Sequence, residues 1–274
     1  MTPSPRDAPV PAVLRLVQSA VLGRWAATVD DLYREVATLI EAGPGRELLV
    51  SGCGSGESAT WLAERTGAAV TGVDSDPESL MAAEARARAT AAPLALHYEQ
   101  APLDDLPHER EVFDAVIGEP ALSAAADPAR AVAELARVTR PMGVVVLLQP
   151  TWTSETATTS REAIVTRLGL KPHLLVEWKQ MLRDAGVVDI QVQDWTGGTR
   201  DGRGTGPRQG SRRAPHLSWR QKMHIAGRAW RRWGWREVRD AVARETSLLH
   251  AVSRERAIGF QLIKGVKWPH PKVH

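Results

Sequence analysis

Residues 47–80 read ELLVSGCGSGESATWLAERTGAAVTGVDSDPESL, and this stretch decides the fold class. Residues 48–50 are a short apolar run of the kind that forms a buried strand. Three glycines follow at every second position: Gly52, Gly54 and Gly56. Residues 58–65 then predict a helix, and a second apolar run at 68–73 ends in Asp74. This order predicts the first half of a βαβ unit, whose second strand brings a carboxylate beside the glycine loop.

The carboxylate beside the loop indicates what kind of ligand the loop holds. One carboxylate can accept hydrogen bonds from both hydroxyls of a ribose, and glycines let a backbone approach a ligand without a Cβ in the way. A dinucleotide site would show G-x-G-x-x-G with a pyrophosphate on the helix N-terminus. Here the third glycine comes one residue early. The pattern therefore favours a nucleoside site.

Alternating apolar runs and helical patterns extend along the rest of the chain. We predict strands at about 48–51, 69–74, 94–98, 112–117 and 143–149, a sixth within 173–195 and a seventh at about 258–268. Helices are expected at 10–42, ended by GPG at 43–45, between the first four strands, and at 127–138 with Asp127 as its cap. Near-continuous apolar strands that alternate with helices predict a parallel sheet covered on both faces.

Five motifs occur in the order and spacing of a known family: VSGCGSG, VTGVDSDP, APLDDLP, FDAVIGEP and LARVTRPMGVVVLL. The chain resembles the class I S-adenosylmethionine-dependent methyltransferases, and in particular the small-molecule group that includes the quinone and sterol ring methylases. The resemblance covers residues 45–150 well, and 173–195 and 258–268 more loosely. It implies a doubly wound α/β fold (Rossmann-like) with seven mostly parallel strands, the last antiparallel.

The resemblance also implies which residues hold S-adenosylmethionine. The backbone of Gly52, Cys53 and Gly54 would cradle its methionine part, Asp74 would hold the ribose, and Ser75 would lie beside the adenine. Leu103 and Asp104 would line the adenine, and Glu119 would lie next to the sulfonium and the acceptor. The expected set of cofactor-binding residues is Ser51, Gly52, Cys53, Gly54, Gly56, Asp74, Ser75, Leu103, Asp104 and Glu119.

Two positions depart from the family pattern. The family has an acidic residue two positions before the first glycine, where this chain has Val50, which puts the anchoring of the cofactor's amino group in doubt. The family's RPGG turn is RPMG here, with Met142 in place of a glycine, and we expect that change to affect a loop only.

Methyl transfer is an in-line displacement, so the protein mainly has to position donor and acceptor and exclude water. A general base is needed only when the acceptor must lose a proton. The candidates are Glu119, which is alternatively a pocket wall or cofactor contact, and His173, which is alternatively a surface or capping histidine; no catalytic residue is assigned. Tyr33 and Trp152 are candidates for the acceptor pocket, with core packing as the alternative.

The residues after the fourth predicted strand bear on the acceptor. Methylases of nucleobase or glutamine amino groups carry an Asn or Asp, two prolines and an aromatic residue there. This chain has EPAL at 119–122. We therefore expect a small apolar or aromatic acceptor, with RNA methylation and non-catalytic binding of S-adenosylmethionine as alternative functions.

Composition sets further expectations. No apolar stretch approaches the length of a membrane span, and residues 1–11 read as a disordered tail rather than a signal peptide. Cys53 is the single cysteine, which excludes an intrachain disulfide and fits a reducing cytoplasm. No metal site is predicted.

Positive charge is concentrated between the sixth and seventh predicted strands. Residues 196–236 hold 11 Arg or Lys and one acid, Asp201, which leaves 24 basic and 31 acidic residues elsewhere. Tryptophans there share one helical face, and Trp230 and Trp233 are candidates for the acceptor pocket. We expect 12–195 and 258–274 to form the methyltransferase domain, with 196–257 inserted as a basic loop and helical cap. Contact with an anionic membrane surface, and nucleic-acid binding as the weaker option, are the alternatives for this segment.

Overall fold

A sheet of eight strands with helices on both faces organises the protein, in a computed structural model that describes residues 29–90, 93–153, 161, 165, 171–195 and 258–269. The strands are β1 Glu47–Ser51, β2 Ala69–Asp74, β3 Leu96–Gln100, β4 Phe113–Gly118, β5 Thr139–Trp152, β6 His173–Leu174, β7 Val187–Asp194 and β8 Ile258–Lys267. The helices are α1 Val29–Leu39, α2 Glu57–Thr66, α3 Pro77–Arg88, α4 Pro128–Val138 and α5 Leu175–Asp184, with a 3-10 turn at Pro120–Ala124.

The strand order creates one crevice at the carboxyl ends of the strands. The order is β3-β2-β1-β4-β5-β8-β7, and the first five strands are parallel. β8 runs antiparallel to both β5 and β7, as expected of the last strand. Because the connections leave β1 in one direction and β4 in the other, the chain reverses its order between these strands. In doubly wound sheets, ligands bind at the carboxyl ends of the strands beside such a reversal.

Two apolar clusters fill the space on the two faces of the sheet. Successive side chains of a strand point to opposite faces, so Leu49 and Val50 belong to different clusters. The cluster of Val50 includes Tyr33 and Val36 of α1 and residues of α2. The cluster of Leu49 includes residues of α4 and α5. The α/β class and the mostly parallel sheet predicted from the sequence are thus confirmed.

Two sequence expectations are corrected. The sheet has eight strands rather than seven, because β6 adds two residues beside the end of β5. Residues 101–112 contain no helix although one was expected between β3 and β4. Two side chains of α4 hold this connection instead: the Glu134 carboxylate accepts from the Leu106 amide, and Arg137 donates to the carbonyl of Leu106. Their bonds satisfy the loop's backbone without helical hydrogen bonds.

Local signals at helix and strand ends give mixed outcomes. Asp127 caps α4 as predicted, because its carboxylate accepts from the Arg130 amide at 3.0 Å. Met142 adopts a left-handed φ of 64°, and its side chain is exposed near the start of β5, which suits a residue in a family glycine position. Of the helix expected at 10–42, only α1 falls among the described residues. The expected tail at 1–11 and the expected cap at 196–257 lie outside them.

The described helices have no membrane-spanning candidate. None of those in the described ranges is both long and apolar enough to cross a bilayer.

Candidate functional site

The glycine loop after β1 is fastened to the end of β2. The carbonyl oxygen of Val73 accepts hydrogen bonds from the Gly52 and Cys53 amides at 2.7 and 3.1 Å. The Asp74 side chain accepts from the Gly54 amide at 2.7 Å through Oδ2 and from the Asp76 amide at 3.0 Å through Oδ1. A carboxylate offers about four lone-pair positions. Asp74 therefore has acceptor capacity left for a ligand.

These bonds change what the loop can offer to a ligand. We expected its amides to face the bound molecule, but the amides of Gly52, Cys53 and Gly54 all donate within the protein. The Gly56 amide also donates internally, to the Cys53 carbonyl at 2.9 Å. Phosphate-binding loops need amide donors aimed at the anion. This internal pairing argues against a pyrophosphate and favours a ligand part without negative phosphate groups.

The structural reason for a glycine differs among the three positions of the loop. Each has a positive φ, which favours glycine. A Cβ on Gly52 would lie 2.9 Å from the Cβ of Ala121, and one on Gly56 would lie 2.2 Å from the Tyr98 hydroxyl oxygen. A Cβ on Gly54 would meet no atom of the described residues within 4 Å. Gly52 and Gly56 are thus required by packing, whereas Gly54 faces a space that the described part of the chain leaves open.

The residues expected around an adenine lie next to Asp74. The Ala101 amide donates to the Asp74 carbonyl at 3.1 Å, which places the following segment beside the end of β2. In that segment Leu103 is buried and Asp104 is half-buried. Leu103 also lies 3.5 Å from where a Gly52 Cβ would be. Ser75 is exposed.

Glu119, directly after β4, forms a buried hydrogen bond that the sequence did not predict. The Tyr33 hydroxyl of α1 donates to its Oε1 at 2.6 Å. Both residues were candidates, but they stand 86 positions apart and no spacing rule connects them. The only signals in the sequence were a tyrosine on the apolar face of α1 and a glutamate at the end of a predicted strand.

Burial dominates the electrostatics of this pair. It raises the pKa of the Glu119 carboxyl from its ordinary 4.5 to about 7, although the hydroxyls of Tyr33 and Ser58 act in the opposite direction. Burial, followed by the nearby Glu119, also raises the pKa of Tyr33 well above its usual range. Burial and then Asp74 and Glu119 raise the pKa of the Cys53 thiol to about 12. Asp74 accepts from the Gly54 amide, and the Cβ of Glu119 lies 3.6 Å from the Cβ position of Gly52, so the two carboxyl side chains flank the glycine loop.

A buried glutamine fixes the backbone that carries Glu119. Gln149 of β5 donates through Nε2 to the carbonyls of Gly118 and Glu119 at 2.9 and 2.8 Å. The Glu119 amide in turn donates to the Ser51 carbonyl at 2.9 Å. Ser51 is fully buried, and its hydroxyl finds no hydrogen-bond partner among the described residues. Ser51 thus contributes its backbone to this arrangement.

His173 and Trp152, the other described candidates, contact residues other than Glu119. His173 lies in β6, one residue before the Leu174 N-cap of α5, so it stands at a helix start as expected; its ring packs edge-on against Trp178 at 5.1 Å, and its Nδ1 lies 3.4 Å from the Glu177 carboxylate. Trp152 is buried at the end of β5, with the Arg161 guanidinium 5.4 Å from its ring centre. Trp230 and Trp233 lie outside the described residues.

The raised pKa of Glu119 predicts a pH-dependent stability difference. Between pH 4.5 and about 7 the folded protein keeps a proton that the unfolded chain releases, so stability falls as pH rises through this window. Glu119→Gln has no carboxyl to titrate, so this variant does not lose stability in that window. From pH 5 to pH 8, urea unfolding should show the variant gaining on wild type by an amount of the order of 3 kcal/mol. Parallel stability curves for the two proteins would contradict the burial argument.

Comparison with protein families identifies the domain that contains this site. Residues 49–147 match the family model of the methyltransferase domain. A protein of Mycobacterium tuberculosis is 32% identical over 158 residues, which cover 56% of this chain and 55% of that protein. The chain thus spans about half the length of this curated relative.

Solved structures show the same fold at low sequence identity. The geranyl diphosphate C-methyltransferase of Streptomyces coelicolor is 15% identical with a TM-score of 0.63, covering 87% of this chain and 79% of that one. The [4+2]-cyclase SpnF is 20% identical with a TM-score of 0.64, covering 94% of each chain. The fold is therefore shared with proteins of different activities, and the family match rests on residues 49–147. Over those residues the chain matches a methyltransferase domain.

Proposed function

We propose that this protein transfers a methyl group from S-adenosylmethionine to a small organic acceptor. The observation that carries the proposal is the Asp74 carboxylate, held by the Gly54 amide beside a glycine whose Cβ position is open. A carboxylate with free lone pairs next to open space suits a ribose. The family match over residues 49–147 supplies the identity of the nucleoside.

The residues around the crevice would hold the cofactor by its parts. Asp74 would accept from the ribose hydroxyls, while Leu103 and Asp104 would lie along the adenine and Ser75 at its edge. The backbone from Gly52 to Gly54 would face the methionine part. When bound, S-adenosylmethionine supplies an activated methyl group on a positively charged sulfur. The amides of Gly52, Cys53 and Gly54 are paired within the protein, so side chains of the crevice would have to bind the ammonium group of the methionine part.

Catalysis would then rest on positioning and on exclusion of water. Glu119 and Tyr33 are buried at the carboxyl end of β4, and Gln149 holds the backbone there. Three members of this wall are buried and bonded before any ligand arrives, so little reorganisation is needed on binding. We assign no general base, and the contacts of His173 to α5 give it no role in this wall.

A small apolar or aromatic acceptor fits the residues after β4. Pro120, Ala121 and Leu122 follow Glu119, and Leu122 is fully buried. This stretch lacks the amide and paired prolines that would grip a planar amine. Trp152 adds a buried ring at the end of β5. An acceptor with an apolar body is the ligand that such side chains recognise.

The direct experiment supplies methyl-labelled S-adenosylmethionine together with fractions of a small-molecule extract or with RNA. We expect label in a small extractable product and none in acid-precipitable nucleic acid. Label in RNA would instead support the alternative in which residues 196–236 guide a polyanion. Absence of cofactor binding by calorimetry at millimolar concentration would overturn both enzymatic functions.

Replacing the ribose carboxylate should weaken cofactor binding. Asp74→Ala removes charge-assisted hydrogen bonds worth about 1.5–3 kcal/mol each, so the dissociation constant should rise about tenfold or more. Isothermal titration calorimetry measures the change. Asp76→Ala is the matched control: it removes the cap of α3, which accepts from the Glu78 amide at 3.2 Å, and lies two residues away. It should cost about 1 kcal/mol of stability with unchanged affinity. Equal losses in both variants would contradict the assignment of Asp74.

A side chain at Gly54 should block the site without unfolding the protein. Gly54→Val would place a branched side chain in the open space, in a backbone with φ of 52°. Gly45→Val is the control, because Gly45 has a φ of 81° and also has nothing within 4 Å of its Cβ position. Both variants bear similar backbone strain of about 1–2 kcal/mol. We expect loss of cofactor binding in Gly54→Val only, with both circular dichroism spectra preserved; binding by Gly54→Val would show that the loop is only a turn.

A further inference from the structure

The cofactor anchor that the family resemblance leads one to expect is missing at Val50, and the structure shows why this residue offers no substitute. Val50 is fully buried in the apolar cluster that also contains Leu48 and Tyr33. Its side chain is aliphatic and has no polar atom to bind an ammonium group. If the protein binds S-adenosylmethionine as proposed above, another acceptor must face the amino group of its methionine part.

A carboxylate reaches the same region from the neighbouring strand. Glu119 follows β4, and its Cβ lies 3.6 Å from where a Gly52 Cβ would be, so it stands beside the first glycine of the loop. Its carboxylate accepts from Tyr33, a member of the apolar cluster that contains Val50. Glu119 and Val50 therefore approach the glycine loop from the same face of the sheet.

The Glu119 carboxylate has no cation to balance it in the described part of the chain. The groups that influence it are the hydroxyls of Tyr33 and Ser58, which are neutral, and the carboxylate of Glu57, which has the same sign. None of the ion pairs among the described residues includes Glu119. A buried carboxylate without a cationic partner is unfavourable in its charged form. A positively charged ligand group at this position would relieve that cost.

We infer that Glu119, oriented by Tyr33, binds the α-ammonium group of the cofactor and replaces the acidic residue that is absent at position 50. Asp74 and Glu119 then bracket the glycine loop, the first taking the ribose and the second the far end of the methionine part. In the loop between them, the amides of Gly52, Cys53 and Gly54 are paired internally. None of these amides therefore competes with the ammonium group for the Glu119 carboxylate. Tyr33 is a positioning residue in this arrangement, because it contacts Glu119.

Two nucleosides separate this role from the alternatives. S-adenosylhomocysteine keeps the ammonium group and lacks the sulfonium charge, whereas 5′-methylthioadenosine lacks the whole amino acid. Calorimetry should give Glu119→Gln a dissociation constant for S-adenosylhomocysteine raised about tenfold or more, because a charge-assisted bond is lost. The constant for 5′-methylthioadenosine should stay within about twofold. Tyr33→Phe should show the same selectivity with a smaller change.

The pH dependence of binding gives a second readout. The groups that face Glu119 or lie across the loop from it are Tyr33, Glu57, Ser58, Cys53 and Asp74. Since the pKa of Glu119 is about 7 before a ligand binds, lowering the pH from 8 to 6 protonates the carboxyl. Wild-type affinity for S-adenosylhomocysteine, relative to 5′-methylthioadenosine, should then fall by up to about tenfold. In Glu119→Gln this ratio should not change with pH.

Each contrary result has a distinct meaning. Unchanged binding of S-adenosylhomocysteine by Glu119→Gln, together with lost methyl transfer, would overturn the inference and place Glu119 at the acceptor. Equal losses for both nucleosides would also overturn it and assign Glu119 to the structure of the loop. Failure of the wild-type protein to bind either nucleoside would overturn the proposed function itself, and the inference with it.

Discussion

The hydrogen bonds between the glycine loop and the end of β2 are the constraint on which the site depends. Val73 accepts from two loop amides, and Asp74 accepts from a third through its side chain. These bonds join the turn after β1 to the carboxyl end of β2, and they leave the loop in left-handed conformations that glycine tolerates. The same carboxylate that stabilises the loop is the one proposed to hold the ribose. This proposal couples structure and recognition at one residue.

The electrostatic character of the crevice follows from that constraint. Because its amides are paired internally, the loop does not form the ring of donors that phosphate sites use. What flanks the loop is negative: Asp74 on one side and Glu119 on the other, close enough for both to raise the pKa of Cys53. This arrangement is unlike a pyrophosphate site, and it agrees with the proposed binding of a nucleoside that carries positive charge. This distinction from a dinucleotide site is visible in the hydrogen bonds, whereas the glycine spacing only indicated it.

The sequence predicted the parts of the fold that are set by local patterns. Buried parallel strands are apolar runs and the α4 cap is an aspartate, so the positions of most strands and helices along the chain and the role of Asp127 could be identified. The helix expected within 101–112 was wrong because Glu134 and Arg137 satisfy the backbone of that loop from a distant helix. The Tyr33–Glu119 bond could not be predicted for the same reason, since it joins residues that only the tertiary fold brings together. At position 50 the sequence shows only that the acidic residue of the family pattern is missing. The structure adds that Glu119 approaches the glycine loop from the same face of the sheet as Val50.

The fold holds Glu119 in place from two directions, and this makes its carboxylate suited to recognition. From β5, Gln149 donates to the carbonyls of both Gly118 and Glu119. From α1, the Tyr33 hydroxyl donates to the carboxylate itself. A side chain fixed in this way loses little conformational freedom when a ligand binds, and the energetic cost of burying its charge is present before binding. Above pH 7, where the carboxyl is charged, this cost is already present in the free protein, so a cationic group of the ligand that neutralises the charge gains affinity.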